Sequence, residues 1–371
     1  MALNALRRLL LGWAPLALIA CHSLPDSAST AMSHRLVPAG SEGFALEGRA
    51  QELDSGALRI GYPGVTLHTR FEGRYLALRA HSSGEQSALG IQVDGEPPRV
   101  LKLNKTPQEW VLIDSDEAVK RQVEITHRGE TWLGQVTIEG VTLNEDATLT
   151  PAELPQRKML VVGDSVTCSY GAGDRSTPPN TGPWWDPKAS YGMQVAEALE
   201  AQVHLVCYGG RGLIRSWNGK TDEGNAPEFF EWAIADHAPV AWDHRQYPPE
   251  LILVSLGTND FNLGIGPLPE REAFVGAYVD FLGLLRTVHP NATIALTEGA
   301  MVNDEADPQR PQKTVLRQYI REAIDRFGRP DVHFIPATHY PGDHRDSHPT
   351  GPQHALMAEE LSHQLRALMG W

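Results

Sequence analysis

The chain changes rhythm near Lys158, and that change limits the folds open to it more than any other feature. Beyond this point short apolar runs alternate with longer stretches of helical period. The runs are 159-MLVV-162, 203-VHLVC-207, 251-LILVSL-256, 293-TIALTE-298 and 332-VHFI-335. In 315-VLRQYIREAIDRF-327 the apolar Val315, Leu316, Tyr319, Ile320, Ala323, Ile324 and Phe327 recur at steps of three and four. Further helices are expected near 272–288 and 352–369. Strands apolar at consecutive positions are covered on both faces. Separated by helices, they predict a three-layer, doubly wound parallel sheet over residues 157–371. Functional loops of such a sheet collect at the carboxyl ends of its strands.

Residues 33–145 read differently. Stretches such as 57-ALRIGYPGVTLHTRF-71, 74-RYLALRAHS-82, 88-ALGIQVDG-95, 121-RQVEITHRG-129 and 132-WLGQVTIEGVTL-143 alternate apolar and polar residues and are punctuated by Gly, Pro and Asp-Gly. With turn signals about every ten residues and no amphipathic helix, this half predicts an all-β sandwich or jelly-roll domain. The acidic, proline-bearing 145-EDATLTPAELPQ-156 reads as the connector, with the linker at 146–156.

The first 21 residues read as an export signal. Arg7 and Arg8 precede the apolar run Leu9–Ala20, which is too short to span a membrane, and 18-LIAC-21 resembles a bacterial lipobox with Cys21 as the lipidated residue. An ordinary signal cleaved within 28-ASTAMS-33 is the alternative. Either reading makes the protein exported: periplasmic, or held at the outer membrane by a lipid on Cys21. Of three cysteines, Cys168 and Cys207 remain, as two buried thiols or as one disulfide. The net charge of −14, without a basic stripe, excludes nucleic acid as a natural partner.

Three strands end in unusual polar loops: Gly163-Asp164-Ser165, then 208-YGGRGLIRSWNG-219, then 257-GTNDFN-262. A fourth polar segment, 342-GDHRDSHPTGPQH-354, precedes the last helix. Gly-Asp-Ser alone is ordinary turn material. Converging on one patch, however, the four segments contain what acyl transfer needs. A serine hydroxyl requires a base, a histidine requires orientation, and the developing oxyanion requires fixed N–H donors. His344, His348 and His354 lack the cysteines or His-Glu-x-x-His pattern of a metal site, and none is expected.

The four blocks resemble those of the SGNH/GDSL hydrolases. Matched residue by residue, the resemblance implies Ser165 as nucleophile, Gly210 and Asn259 with the Ser165 N–H as oxyanion donors, and His348 as base. The longer matches 163-GDSVTCSYGAGD-174, 209-GGRG-212 and 257-GTND-260 are similar to carbohydrate esterase family 2, whose members carry a jelly-roll domain ahead of the hydrolase. That resemblance implies a cofactor-free serine esterase acting on acetylated polysaccharide of xylan or glucomannan type. Two departures stand out. Asp346 precedes His348 by two rather than three, so either Asp346 or backbone carbonyls orient the imidazole. Ser347 stands where that group often has tryptophan, so any sugar stacking must come from elsewhere. Trp184 and Trp185, in the loop 178-PPNTGPWWDPKAS-190, are candidates for it or else a hydrophobic plug, and Arg211 is a further candidate contact. Trp217 is expected to be structural. An esterase for another acyl group, or a glycan-binding protein with a vestigial site, are the rival readings.

Overall fold

The computed structural model describes residues 33–235 and 238–371; the expected signal with Arg7, Arg8 and Cys21 lies outside the described residues. The architecture is organised by Arg157–Gly163, which is buried from Met159 onward. It pairs in parallel with Ala201–Cys207 on one side and Leu251–Ser255 on the other. Thr293–Thr297 and Val332–Phe334 extend the sheet, so the spatial order is second, first, third, fourth, fifth strand. This is a doubly wound order, and its switch point lies beside the first strand.

The unbroken apolar runs bury alternate residues on opposite faces. Met159 and Val161 pack with Tyr191 and Val195 of helix Tyr191–Ala198 and with Leu361 and Leu365 of helix Gly351–Met369. Leu160 and Val162 lie in the opposite core with Phe274 and Leu282 of helix Arg271–Val288 and Leu316 and Ile320 of helix Gln312–Phe327. The last helix starts where Thr350 accepts from Gln353 N and Gln353 reaches back to Thr350 N, a capping box.

The N-terminal half is an antiparallel β-domain built on two long strands, Thr66–Ser82 and Gln108–His127. The first half of Thr66–Ser82 pairs with Ala45–Glu47 and Thr148–Pro151, and its second half with Val136–Asn144. Register breaks between Gly73 and Tyr75 and between Leu76 and Ala77 accompany this change of partner. Part of the expected linker is therefore sheet. The alternation in Thr148-Leu149-Thr150 supports an edge strand, and the chain leaves the sheet only after Pro151.

Buried polar contacts join the halves. Arg49, 1% exposed, donates to the carbonyls of Phe230 and Trp232 at 2.6 and 2.8 Å. Tyr62 Oη donates to Phe229 O at 2.6 Å. Glu47 accepts the Val203 N–H at 2.6 Å and contacts His68 Nε2 at 3.1 Å. Glu124 lies 3.7 Å from His68 Nδ1 and also binds Lys188 of the hydrolase half. Burial alone would depress the His68 pKa, but Glu124 and Glu47 outweigh it and push it up to about 9. Cys168 and Cys207 form a disulfide with Cα atoms 5.5 Å apart, which decides between the two thiol readings.

Two outcomes follow. Replacing both Cys168 and Cys207 by alanine opens a cross-link between positions 39 residues apart, and should cost about 3–4 kcal/mol of stability in urea unfolding. His68→Gln should lower stability by on the order of 2 kcal/mol near pH 6. Because the folded-state pKa is raised, that stabilisation is complete below about pH 6.5 and vanishes as pH passes about 9. The melting temperatures of parent and variant should therefore converge at high pH; a constant difference would assign the loss to packing.

Candidate active site

The loop after Gly163 turns at once into a helical turn, with Cys168 N donating to Asp164 O at 3.0 Å and Tyr170 N to Ser165 O at 3.0 Å. Asp164, 2% exposed, accepts the Val166 N–H at 3.1 Å and so braces the turn. Burial pushes its carboxyl up to about 6, against the Val166 N–H and the charge of His348. Ser165 sits at the start of this turn, and its own N–H has no partner among the described residues.

Ser165 Oγ and His348 Nε2 are hydrogen-bonded at 2.8 Å. On the other side of the ring, His348 Nδ1 lies 2.5 Å from Asp346 Oδ1, which also accepts the His348 N–H at 2.8 Å. The two-residue spacing is thus long enough for the carboxylate to reach the imidazole. Burial would raise the Asp346 pKa, but the bonds to His348 outweigh it and hold it below the usual value. A carboxylate at Nδ1 selects the tautomer whose Nε2 can take the serine proton. The loop carrying both residues is tied down by Arg175, which donates to Asp346 O at 2.9 Å, His348 O at 3.3 Å and Asp343 Oδ1 at 2.7 Å.

Gly210 has φ of +76°, and a Cβ there would stand 2.6 Å from the Trp217 ring. Its N–H is unpaired among the described residues, whereas the Gly209 N–H is taken by Glu130 at 2.5 Å. Asn259 Nδ2 donates to Arg211 O at 2.8 Å, leaving a second N–H with only a 3.4 Å contact to Asp164. The loops holding these donors are braced by Asp260, fully buried, which accepts from the backbone of Leu213, Ile214 and Arg215 at 2.8–3.1 Å. Burial raises its pKa despite those three donors. Arg211 lines the same cleft but is paired with Glu223.

Ser165, Gly210, Asn259 and His348 open into one cleft of about 870 Å³. Its aromatic surface differs from the sequence expectation. Trp184 and Trp185 are 0% exposed: they form the plug, packed under Tyr170 and Leu133, and cannot meet a ligand. Proline-bounded turns at Gly182–Trp184 and Pro187–Ala189 fold the pair inward, where Trp185 Nε1 donates to Glu130 at 3.2 Å. The exposed rings are Trp217, 59% exposed against Gly210, and Trp132 of the β-domain, 45% exposed. Glu130 and Trp132 escape a sequence reading because they sit at a short turn, Thr131–Leu133, between two strands, where no local pattern points to chemistry. Trp217, beside the second block, had a positional signal. His354 is buried and accepts the Tyr191 N–H, a structural role.

Residues 46–152 match the carbohydrate esterase 2 N-terminal family, and residues 161–356 match the GDSL-like lipase/acylhydrolase family. An acetylxylan esterase/glucomannan deacetylase of Cellvibrio japonicus is 41% identical over 348 residues, spanning 93% of this chain and 94% of that protein. A family two carbohydrate esterase structure from the same organism superposes with a TM-score of 0.87 at 41% identity, covering 92% of this chain and 99% of that one. A family two esterase from Clostridium thermocellum in complex with cellohexaose shares the fold at a TM-score of 0.79 and 24% identity, over 88% of this chain and 99% of that one. With both halves matched and the identity sustained across them, this chain belongs to carbohydrate esterase family 2.

Proposed function

We propose that the protein is a serine esterase that removes O-acetyl groups from acetylated xylan or glucomannan. The observation that carries this reading is the chain of contacts Ser165–His348–Asp346 facing unpaired N–H groups in a cleft edged by exposed tryptophans. Ser165 Oγ attacks the acetyl carbonyl carbon while its proton passes to His348 Nε2. The oxyanion is met by the N–H groups of Ser165 and Gly210 and by Asn259 Nδ2. The tetrahedral species collapses as His348 returns the proton to the sugar oxygen, freeing the hydroxyl and leaving acetyl-Ser165. Water, deprotonated by His348, attacks that ester, and acetate leaves as Ser165 recovers its proton. Asp346 stays ionised throughout and favours the imidazolium at each transfer.

The polysaccharide is supported by the relatives' names and by the oligosaccharide held in the Clostridium thermocellum structure. The cleft fits: its walls carry Asn180, Asn218, Asn262 and Gln312, and its aliphatic lining is confined to Met301 and Val302. That suits a short acyl group on a hydrated chain, with Trp217 and Trp132 supplying ring faces where Ser347 supplies none.

Acetate release from acetylated xylan and glucomannan should fall by about 10⁴-fold or more in Ser165→Ala. Parent protein that spares both polymers while hydrolysing long-chain esters would refute the substrate. Trp217→Ala should raise KM for the polymer by about 3- to 10-fold, the worth of one stacking contact. Affinity for the deacetylated oligosaccharide, read by calorimetry, should fall in parallel.

A further inference from the structure

Glu130 is a carboxylate from the β-domain, 3% exposed, on the wall of a site built, apart from it and Trp132, by the hydrolase half. Burying an ionisable group is costly unless its oxygens are met, and such groups concentrate where chemistry uses them. Both Glu130 oxygens are met by N–H groups, from Gly209 at 2.5 Å and the Trp185 indole at 3.2 Å. A Cβ on residue 209 would stand 2.7 Å from Glu130 Oε2, so the glycine admits the carboxylate.

The next residue is Gly210. Its carbonyl accepts the Trp217 N–H at 2.8 Å, and its own N–H is free to face the reacting oxygen. The peptide before Gly209 is held by Glu130 and the carbonyl after it by Trp217, so the direction of the Gly210 N–H is set between two anchors. We propose that Glu130 is a positioning residue for acyl transfer, through which the β-domain aims the Gly210 N–H at the oxyanion. The inference rests on the esterase reading above. Burial pushes the Glu130 carboxyl up to about 7, against the N–H groups of Gly209, Trp185 and Trp132 and the charge of His348. Tyr170 also feels the Glu130 charge, and Arg128 on its own segment is turned to Asp186 at 3.5 Å. Glu130 therefore gains its full negative charge, and its strongest hold on the Gly209 N–H, as pH rises through neutrality.

In Glu130→Gln one amide must face two converging N–H groups, and its NH2 can accept from neither. The expected result is a kcat on aryl acetate lower by about 10- to 100-fold, less than loss of a donor outright. KM and affinity for deacetylated oligosaccharide should stay within about twofold. The parent-to-variant ratio of kcat should also rise between pH 6 and 8, because the parent's Glu130 gains charge over that range and the neutral glutamine does not. An unchanged kcat, or a pH-independent ratio with a lowered melting temperature, would make Glu130 a structural residue only. If the variant does not fold, Trp185→Phe decides. Losing one donor to the anion should move the parent's acid limb to higher pH, and an unmoved limb overturns the proposal. Parent protein inactive on every ester would instead sink the esterase reading, while an active parent with an unaffected variant sinks this inference alone.

Discussion

The site depends on one register. Gly163 stands opposite Cys207 on one neighbour and Ser255 on the other, so three parallel strands end at the same level. Adjacent strands lie about 4.8 Å apart, which brings the loops of Ser165, Gly210 and Asn259 out side by side. Gly163 is also what lets the first loop fold back: a Cβ there would lie 1.9 Å from Thr167 Oγ1. Thr167 bonds Tyr191 at 2.6 Å, and the adjacent Cys168 is joined to Cys207. The Ser165 turn and the end of the second strand are thereby one covalent unit beneath the cleft.

Negative charge is concentrated around this unit, and its distribution follows a rule. Asp164, Asp260 and Glu130 are each almost wholly buried, and each accepts backbone N–H groups from the loop it braces. Buried carboxylates are tolerable when donors converge on them, and here the converging donors belong to the segments that must hold still. Coulomb attraction to His348 reaches both Asp164 and Glu130. In the proposed acyl transfer, an imidazolium at His348 would thus be favoured by more than the one carboxylate it touches.

What the sequence made legible was what period and local chemistry encode. Consecutive apolar residues announced a strand covered on both faces, and the four polar blocks stood at the ends or edges of such elements. Tryptophan exposure was not legible, because a Pro/Gly-rich loop can turn a ring in or out. The indole N–H of Trp185 finds Glu130 only after two domains meet. Trp217 stays outside, its backbone N–H bonded to Gly210 O and its ring set against that glycine. Thr148–Pro151 reads as connector in the sequence because its proline and acidic flanks mask three residues of strand character, and pairing with Thr69–Glu72 decides the matter. Cys168 and Cys207, 39 positions apart, could be joined only once the strand register was known.

The placement of Asp346 and His348 on one short loop raises a mechanical question, since both precede the helix Gly351–Met369 without belonging to it. A carboxylate two residues from its imidazole can bond it only if the intervening backbone is tightly curled, and a single residue has little rigidity of its own. Asp346 Oδ1 closes the curl by accepting both the His348 N–H and Nδ1. Arg175 closes it from outside, bonding the carbonyls of Asp346 and His348 while its guanidinium lies 5.1 Å from the Trp184 ring centre. The buried tryptophan pair therefore supports the base without contacting it: Trp184 backs Arg175, and Trp185 packs against Tyr170, whose ring lies 4.6 Å from that of His348. A lysine in place of Arg175 could not span the two carbonyls and Asp343 in one plane. The fork geometry of arginine is what makes the two-residue spacing a workable support for the imidazole.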